Sequence, residues 1–250
     1  MSLDFFLSIF PQLVHPTWIT IQLVVISAAI GNALALGVAL ARVSRSRWLW
    51  MPSYLYIYVI RGTPLLVQMY FLYYGLGAVF AHDPLIRQSF FWPLLRDGFW
   101  YGVAALSLST AGYTGEVLRG AIQAVPFGEI EAGRAFGMSR WLILWRVVLP
   151  RAVQICLPTL GGETILLMKS TALVSTITVE DMMYKANSIR VLTFRIYEPL
   201  LAAALVYIAT RTWARKWCAK SPPRPATSPA MARPPRPCWR NPFTAKVCAM

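Results

Sequence analysis

The chain has 250 residues, 57% of them hydrophobic and only 14% charged, with a mean hydropathy of +0.51. A soluble domain carries about 25% charged residues, so a water-soluble globular domain is excluded and an integral membrane protein is implied. The net charge of +14 does not point to nucleic acid: nine basic and no acidic residues from Arg211 onward supply most of it, and the remainder follows a membrane topology.

Five stretches are long and apolar enough for a core of about 30 Å, which takes roughly 20 helical residues each: residues 18–41, 54–80, 100–122, 152–168 and 192–210. Strand-like alternation is absent, so the expected fold class is an all-α bundle and not a barrel. Within the second stretch stands Arg61-Gly62-Thr63-Pro64-Leu65-Leu66-Val67-Gln68. Thr63 can cap and Pro64 can begin or kink a helix, so a break is predicted there. Arg61 and Gln68 are costly in lipid unless they face protein or water; an ordinary kink, with Arg61 reaching toward the cytosolic interface, is the other reading. In the third stretch Ser107, Ala111 and Gly115 recur every four residues, a small-residue packing face suited to a subunit interface. Glu116 and Arg119 follow at i, i+3 and predict an ion pair near the cytosolic end.

Residues 129–150 interrupt the apolar pattern with a polar, arginine-rich loop. Pro126 suits a helix's first turn, Gly137 a left-handed stop and Ser139 the cap of a second short helix. In that second helix Trp141, Leu142, Trp145 and Val148 form one stripe, with Arg140 and Arg146 off it, as for a helix lying on a membrane surface. Glu163 lies about 16 Å into the fourth span at 1.5 Å per residue, near mid-bilayer, where an acidic group marks a ligand path or a buried partner. Gly161 and Gly162 precede it; Arg61 or Lys169 are its alternative structural partners. His15 and His82 are isolated. The four cysteines, Cys156, Cys218, Cys238 and Cys248, form no framework.

Lys and Arg placement sets the orientation. Arg42, Arg45 and Arg47 lie in the first connection, Arg119, Arg134, Arg140, Arg146 and Arg151 in the third, and nine basic residues in the tail, with none before Trp18. The second connection holds only Arg87 and Arg96; the fourth, with Lys169, Lys185, Arg190 and Arg195, departs from the pattern. The N-terminus is therefore expected outside and the C-terminus inside, without a cleavable signal. A transmembrane domain over 1–212 gives way to a basic, Pro-rich tail over 213–250, with eight prolines in its last thirty residues. Such composition builds no core. The tail is expected to be disordered, either as an aberrant, frame-shifted end or as a native extension attracted to anionic lipid.

The spacing Glu131-Ala132-Gly133, three residues, Gly137, nine residues, Val147, one residue, Leu149-Pro150 resembles the EAA loop of ABC importer permeases. Two positions depart from it: Gly133 where alanine is usual and Val147 where isoleucine is usual. Residues 61–68 resemble the RGTPLxVQ signature of polar amino acid permeases, and residues 111–132 and 169–181 resemble that family almost position by position; Gly162 stands where the family often has Asn. The wording of residues 125–132 and the connection at 81–98 further resemble M-type permease subunits of histidine/lysine/arginine/ornithine, octopine/nopaline and arginine systems.

The resemblance implies a type I ABC importer permease fold, an all-α integral membrane protein of about five transmembrane helices with a cytosolic coupling helix. It implies uptake of polar, basic amino acids across the bacterial inner membrane by alternating access. Its expected partners are a cytosolic ABC ATPase dimer, a second permease subunit (a homologue or a copy), a periplasmic amino-acid-binding protein, the amino acid and membrane lipid. Glu129, Glu131, Ala132, Gly133, Gly137, Leu149 and Pro150 are the expected ATPase-coupling residues. Arg61, Thr63, Pro64, Gln68, Tyr113, Glu116, Glu163 and Lys169 are expected on the substrate path or gate. No phosphate-binding glycine loop, nucleophile–base set or metal-ligand spacing occurs. The chain is thus read as a non-enzyme without a cofactor of its own, ATP being bound by the partner ATPase. An ion-coupled secondary transporter with Glu163 as its site would show repeat symmetry, which is not seen. A non-transporting scaffold leaves the broken second span and Glu163 unexplained.

Overall fold

The computed structural model describes residues 3–44, 46–90 and 92–219, and among them every regular element is a helix. In chain order these are α1 (Leu3–Val43), α2 (Arg47–Gly62), α3 (Leu65–His82), α4 (Gly98–Gln123), α5 (Phe127–Ala135), α6 (Arg140–Ile177), α7 (Met182–Thr193) and α8 (Tyr197–Ala219), with two short turns, Pro84–Arg87 and Trp92–Arg96, before α4. By length and composition three helical runs can cross a membrane: Pro11–Val43, Leu65–His82 and Arg140–Ile177; Tyr197–Thr210 is a shorter apolar helix. Trp18, Val25, Leu55, Phe71 and Leu205 stand exposed on the outside of the bundle, as a lipid-facing surface requires.

Helix α4 is the centre. Its 26 residues bury Tyr101, Val103, Leu106, Ala111, Leu118 and Ile122 among others, and α1 packs along most of its length. The small face Ser107, Ala111 and Gly115 is buried as predicted, but its partner is α1 of the same chain and not a second subunit. A Cβ on Gly115 would come within 3.2 Å of Val38 and 3.5 Å of the Ala35 carbonyl oxygen, so small side chains let the two backbones approach.

Three apolar clusters hold the helices. One joins Leu23, Met69, Leu106, Leu167 and Val174 in the middle of the bundle. A second joins Ala39, Leu118, Ile122, Ile143, Leu149 and Cys156 beneath α5. The third sets Ile9 and Leu13 against Met182, Ala186, Ala202 and Val206. It explains why α1 starts at Leu3 and not near residue 18: contacts with α7 and α8 extend the helix beyond the hydropathy signal. The last span differs from expectation as well. Residues 192 and 193 close α7, Phe194 turns left-handed at φ 53°, and the spanning helix begins at Tyr197. That helix continues to Ala219, through the first residues counted with the tail; residues 220–250 lie outside the described residues.

Gly98, the first residue of α4, is where packing tolerates least. A Cβ there would lie 2.7 Å from the Ile177 backbone oxygen, and a carbonyl within a packed turn cannot swing away. Gly98→Ala is expected to destabilise the fold by about 1–3 kcal/mol, the usual range for overpacking, read as a lowered unfolding temperature in detergent. An unchanged melting curve would show that the α4–α6 contact is looser than described.

Candidate functional site

The loop after α4 is built from local chemistry. Pro126 precedes α5 with φ −58°, and Gly137 ends it at φ +73°. The Met138 N–H donates to the Gly133 oxygen at 3.1 Å and the Gly137 N–H to the Arg134 oxygen at 2.9 Å, the two crossed bonds of a Schellman end. Ser139 then caps the next helix, its Oγ accepting from the Leu142 N–H at 3.3 Å. The break is closed tightly because Gly133 is not alanine: a Cβ there would stand 3.2 Å from Cγ1 of buried Ile143. The departure from the EAA pattern therefore has a packing cause.

The second helix is not short and separate. Arg140–Ile143 runs through a π turn, Leu144–Val148, directly into Leu149–Ser170. One inserted residue rotates the face by about 100°. Trp141, Leu142 and Trp145 of the expected stripe are exposed together at 66%, 37% and 48%, the two indole rings 5.9 Å apart, while Val148 leaves the stripe and is buried.

Of the expected coupling residues, Glu131, Ala132, Gly137 and Pro150 are exposed, whereas Gly133 and Leu149 face the cluster that seats the loop. Glu129 is half-exposed and pairs with Arg151 of α6 at 3.3 Å, which ties the loop to the span carrying Glu163. Phe136, 84% exposed beside Gly137, was not singled out by the sequence; an aromatic directly before a corner glycine was the available signal. The outcome is a rigid knob presenting one carboxylate and one aromatic ring.

Deeper in the bundle, α2 ends where Pro64 removes a backbone donor. Thr63 closes α2 and does not cap α3: its Oγ1 donates to the Val59 oxygen at 2.8 Å, and its N–H to the same oxygen at 3.1 Å. The Gln68 amide reaches back across the gap, Nε2 donating to the Ile60 oxygen at 2.8 Å and to the oxygen and Oγ1 of Thr63 at 3.0 and 2.8 Å. Gln68 thus supplies the hydrogen bonds that the proline deletes, and the helix can bend without orphaned carbonyls.

The charged residues considered with this break come from four helices. On α4, Glu116 accepts from Arg119 Nε at 2.8 Å, and Arg42 of α1 approaches its other oxygen at 3.8 Å. Arg42 itself lies over the rings of Trp50 and Tyr54, 5.3 and 5.0 Å from their centroids. The predicted Glu116–Arg119 pair is present, with a second cation added. Arg61 sits over the Tyr113 ring at 5.2 Å. Glu163 is half-buried on an unbroken stretch of α6, beside an open-sided Gly162, with no hydrogen bond or ion pair among the described residues. Lys169 is exposed and forms no ion pair among them either. Glu163 and Lys169 are therefore not the structural pair that one reading anticipated.

Comparison with known proteins agrees with this arrangement. The family model described as "Binding-protein-dependent transport system inner membrane component" matches residues 31–212. The octopine transport system permease protein OccM of Rhizobium radiobacter is 45% identical over 190 residues, covering 76% of each chain. The histidine/lysine/arginine/ornithine transport system permease protein HisM of Escherichia coli K12 is 38% identical, over 76% of this chain and 79% of its own. Among solved structures, a crystal structure of an amino acid ABC transporter with histidines superposes with a TM-score of 0.76 at 30% identity, over 88% of this chain and 96% of that one.

Proposed function

The chain belongs to the family of binding-protein-dependent transport system inner membrane components, and we propose that it is the permease subunit of an ABC importer for polar, basic amino acids. The transporter relatives and the fold make it a transport component and not an enzyme. The single observation carrying the finer reading is the exposed Glu131–Phe136 knob, held by Gly137 and braced by Glu129–Arg151 onto the helix that bears Glu163.

In this reading Glu129, Glu131, Ala132, Gly133, Gly137, Leu149 and Pro150 form the coupling loop. Glu131 and Ala132 meet a cytosolic ABC ATPase dimer, while Gly133 and Leu149 seat the loop. Closure of the ATPases on ATP pulls the knob, and the continuous run from Arg140 carries the displacement to mid-bilayer. Arg61, Thr63, Pro64, Gln68, Tyr113, Glu116, Glu163 and Lys169 line the path or gate, with Glu163 as counter-charge for a cationic amino acid. Charged and polar groups exposed at span depth must face protein or water and not lipid, which supports a second permease subunit, homologue or copy, against this face. A periplasmic binding protein delivers the amino acid, and the helices alternate access between the two sides. The arginine distribution supports an N-terminus in the periplasm and the loop and C-terminus in the cytoplasm. We read residues 1–212 as the permease domain and 213–250 as a tail apart from it.

The test is ATP hydrolysis by the complex reconstituted in liposomes with its ATPase and binding protein, amino acids being added in turn. Arginine, lysine, ornithine or histidine should stimulate hydrolysis several-fold and neutral or acidic amino acids should not. Equal stimulation by all, or by none in a folded complex, would overturn the assignment.

A further inference from the structure

Helix α7 spends one face on packing: Met182, Ala186 and Ile189 are buried against α1 and α8. Beyond it, from residue 191 to residue 197, seven consecutive residues are exposed. Five of them, Val191, Leu192, Phe194, Ile196 and Tyr197, are large and apolar. Phe194 stands at φ 53°, a left-handed conformation that bulky side chains rarely adopt, and its ring is 91% exposed. A ring so placed contributes little to the packing of the fold. The apolar surface does not stop at the corner. It continues down α8 at helical spacing through Leu201, Leu205 and Ile208, all exposed, so the corner is one end of a stripe that faces lipid.

Cations are interleaved with this surface. Lys185 is exposed, Arg190 directly precedes the exposed run, and neither forms an ion pair among the described residues. Arg195, within the run, pairs with Glu198 at 3.6 Å. The corner also lies at the end of the bundle away from the arginine-rich loop: its cluster contains Ile9 and Leu13 of α1, whereas the loop packs near Ala39. On that side the charge asymmetry of membrane proteins predicts few cations. Apolar side chains flanked by Lys and Arg at the end of a span have the composition of a membrane interface, with the stems on apolar surface and the cations at phosphate level.

We propose that the α7–α8 corner binds an anionic phospholipid in the leaflet opposite the loop. The phosphate-bearing headgroup meets Lys185 and Arg190, Phe194 and Tyr197 lie at the headgroup boundary, and an acyl chain follows Leu201, Leu205 and Ile208. A zwitterionic lipid covers the same apolar surface but brings an ammonium group beside the two cations, so the site selects a net negative headgroup. The inference concerns the corner alone and does not depend on which solute is carried.

The test places the photoreactive residue benzoylphenylalanine at position 194 in the full permease–ATPase complex with its binding protein. The complex is reconstituted in vesicles of phosphatidylcholine and phosphatidylglycerol at about 7:3, and the cross-linked products are identified by mass spectrometry; phosphatidylglycerol should be captured at least about threefold above its share of the bilayer. In Lys185→Gln/Arg190→Gln its capture should fall to that share, while continued capture of phosphatidylcholine reports that the corner still sits at the membrane. A second measurement compares unfolding temperatures in nanodiscs with and without phosphatidylglycerol. The anionic lipid should raise that of the wild type more than that of Lys185→Gln/Arg190→Gln, since the loop-side arginines contribute equally to both. Lipid captured in bulk proportion by the wild type overturns the proposal, as does capture of the binding protein or a second permease subunit in place of lipid. Equal shifts of the two proteins overturn it as well.

Discussion

Glu131→Lys is expected to abolish ligand-stimulated ATP hydrolysis and uptake, with a loss of at least about 100-fold, while leaving assembly of the membrane domain intact. The reason lies in the difference between the two glutamates of α5. Glu129 is engaged by Arg151 at 3.3 Å, so changing it alters the brace within the chain. Glu131 is exposed and has no partner among the described residues, and its neighbours on the exposed surface are Ala132, Arg134 and Phe136. A carboxylate left free on a knob whose backbone is fixed by two crossed hydrogen bonds is available to another chain. In the proposed coupling, reversing its charge would put a cation where the ATPase groove receives an anion, and misplaced charge in an interface costs several kcal/mol. Basal hydrolysis by the ATPase should persist, because the lesion is in transmission. Glu129→Gln should be much milder, since an ion pair at about one-third exposure is worth about 0–1 kcal/mol. Retention of more than half of the ligand-stimulated rate in Glu131→Lys would remove the loop from the coupling role.

What the sequence made legible follows from the range of the interactions involved. The break at residues 62–64 and the corner at Gly137 come from single-residue chemistry, a missing N–H and a positive φ, which any chain context reproduces. The Glu116–Arg119 pair was equally readable, because i, i+3 neighbours meet on any helix. Other features depend on which helix lies opposite. The partner of the Ser107–Gly115 face is α1 and not a second subunit; pattern alone shows that a face is small, not what fills it. The π turn at Leu144–Val148 has no local signature here, and Val148 is buried away from the exposed Trp141, Leu142 and Trp145. The early start of α1 and the division of the last span at Phe194 are likewise consequences of the third apolar cluster. Arg42 over Trp50 and Tyr54 joins residues from two helices, and its approach to Glu116 was not anticipated. Glu163 was found by its depth alone.

Asp181 is expected to make the stability of this protein depend on pH in a direction opposite to that of a salt-bridged carboxylate. It lies in the connection between α6 and α7, fully buried at 0% exposure. Oδ1 caps α7 by accepting from the Tyr184 N–H at 2.8 Å, and Oδ2 has no hydrogen-bond partner among the described residues. Burial pushes its pKa from 3.8 up to about 6, against the opposing pull of backbone N–H groups. The folded chain therefore binds this proton more tightly than the unfolded one, so the stabilisation is complete below about 3.8 and is lost as pH rises through about 6. At roughly 1.4 kcal/mol per pK unit, the carboxylate costs the fold on the order of 3 kcal/mol above that window. Asp181→Asn keeps the capping oxygen and removes the charge. It should raise the unfolding temperature at pH 8 and leave it nearly unchanged at pH 4.5, whereas Asp181→Ala, which loses the cap, should be destabilised at pH 4.5 by about 1 kcal/mol. The quantity to measure is the difference between wild type and Asp181→Asn in lipid nanodiscs across pH 4.5–8, since groups titrating elsewhere cancel in it. A difference that does not change with pH would mean that Asp181 is solvated in the folded protein, and that the seam between α1, α7 and α8 is open to water.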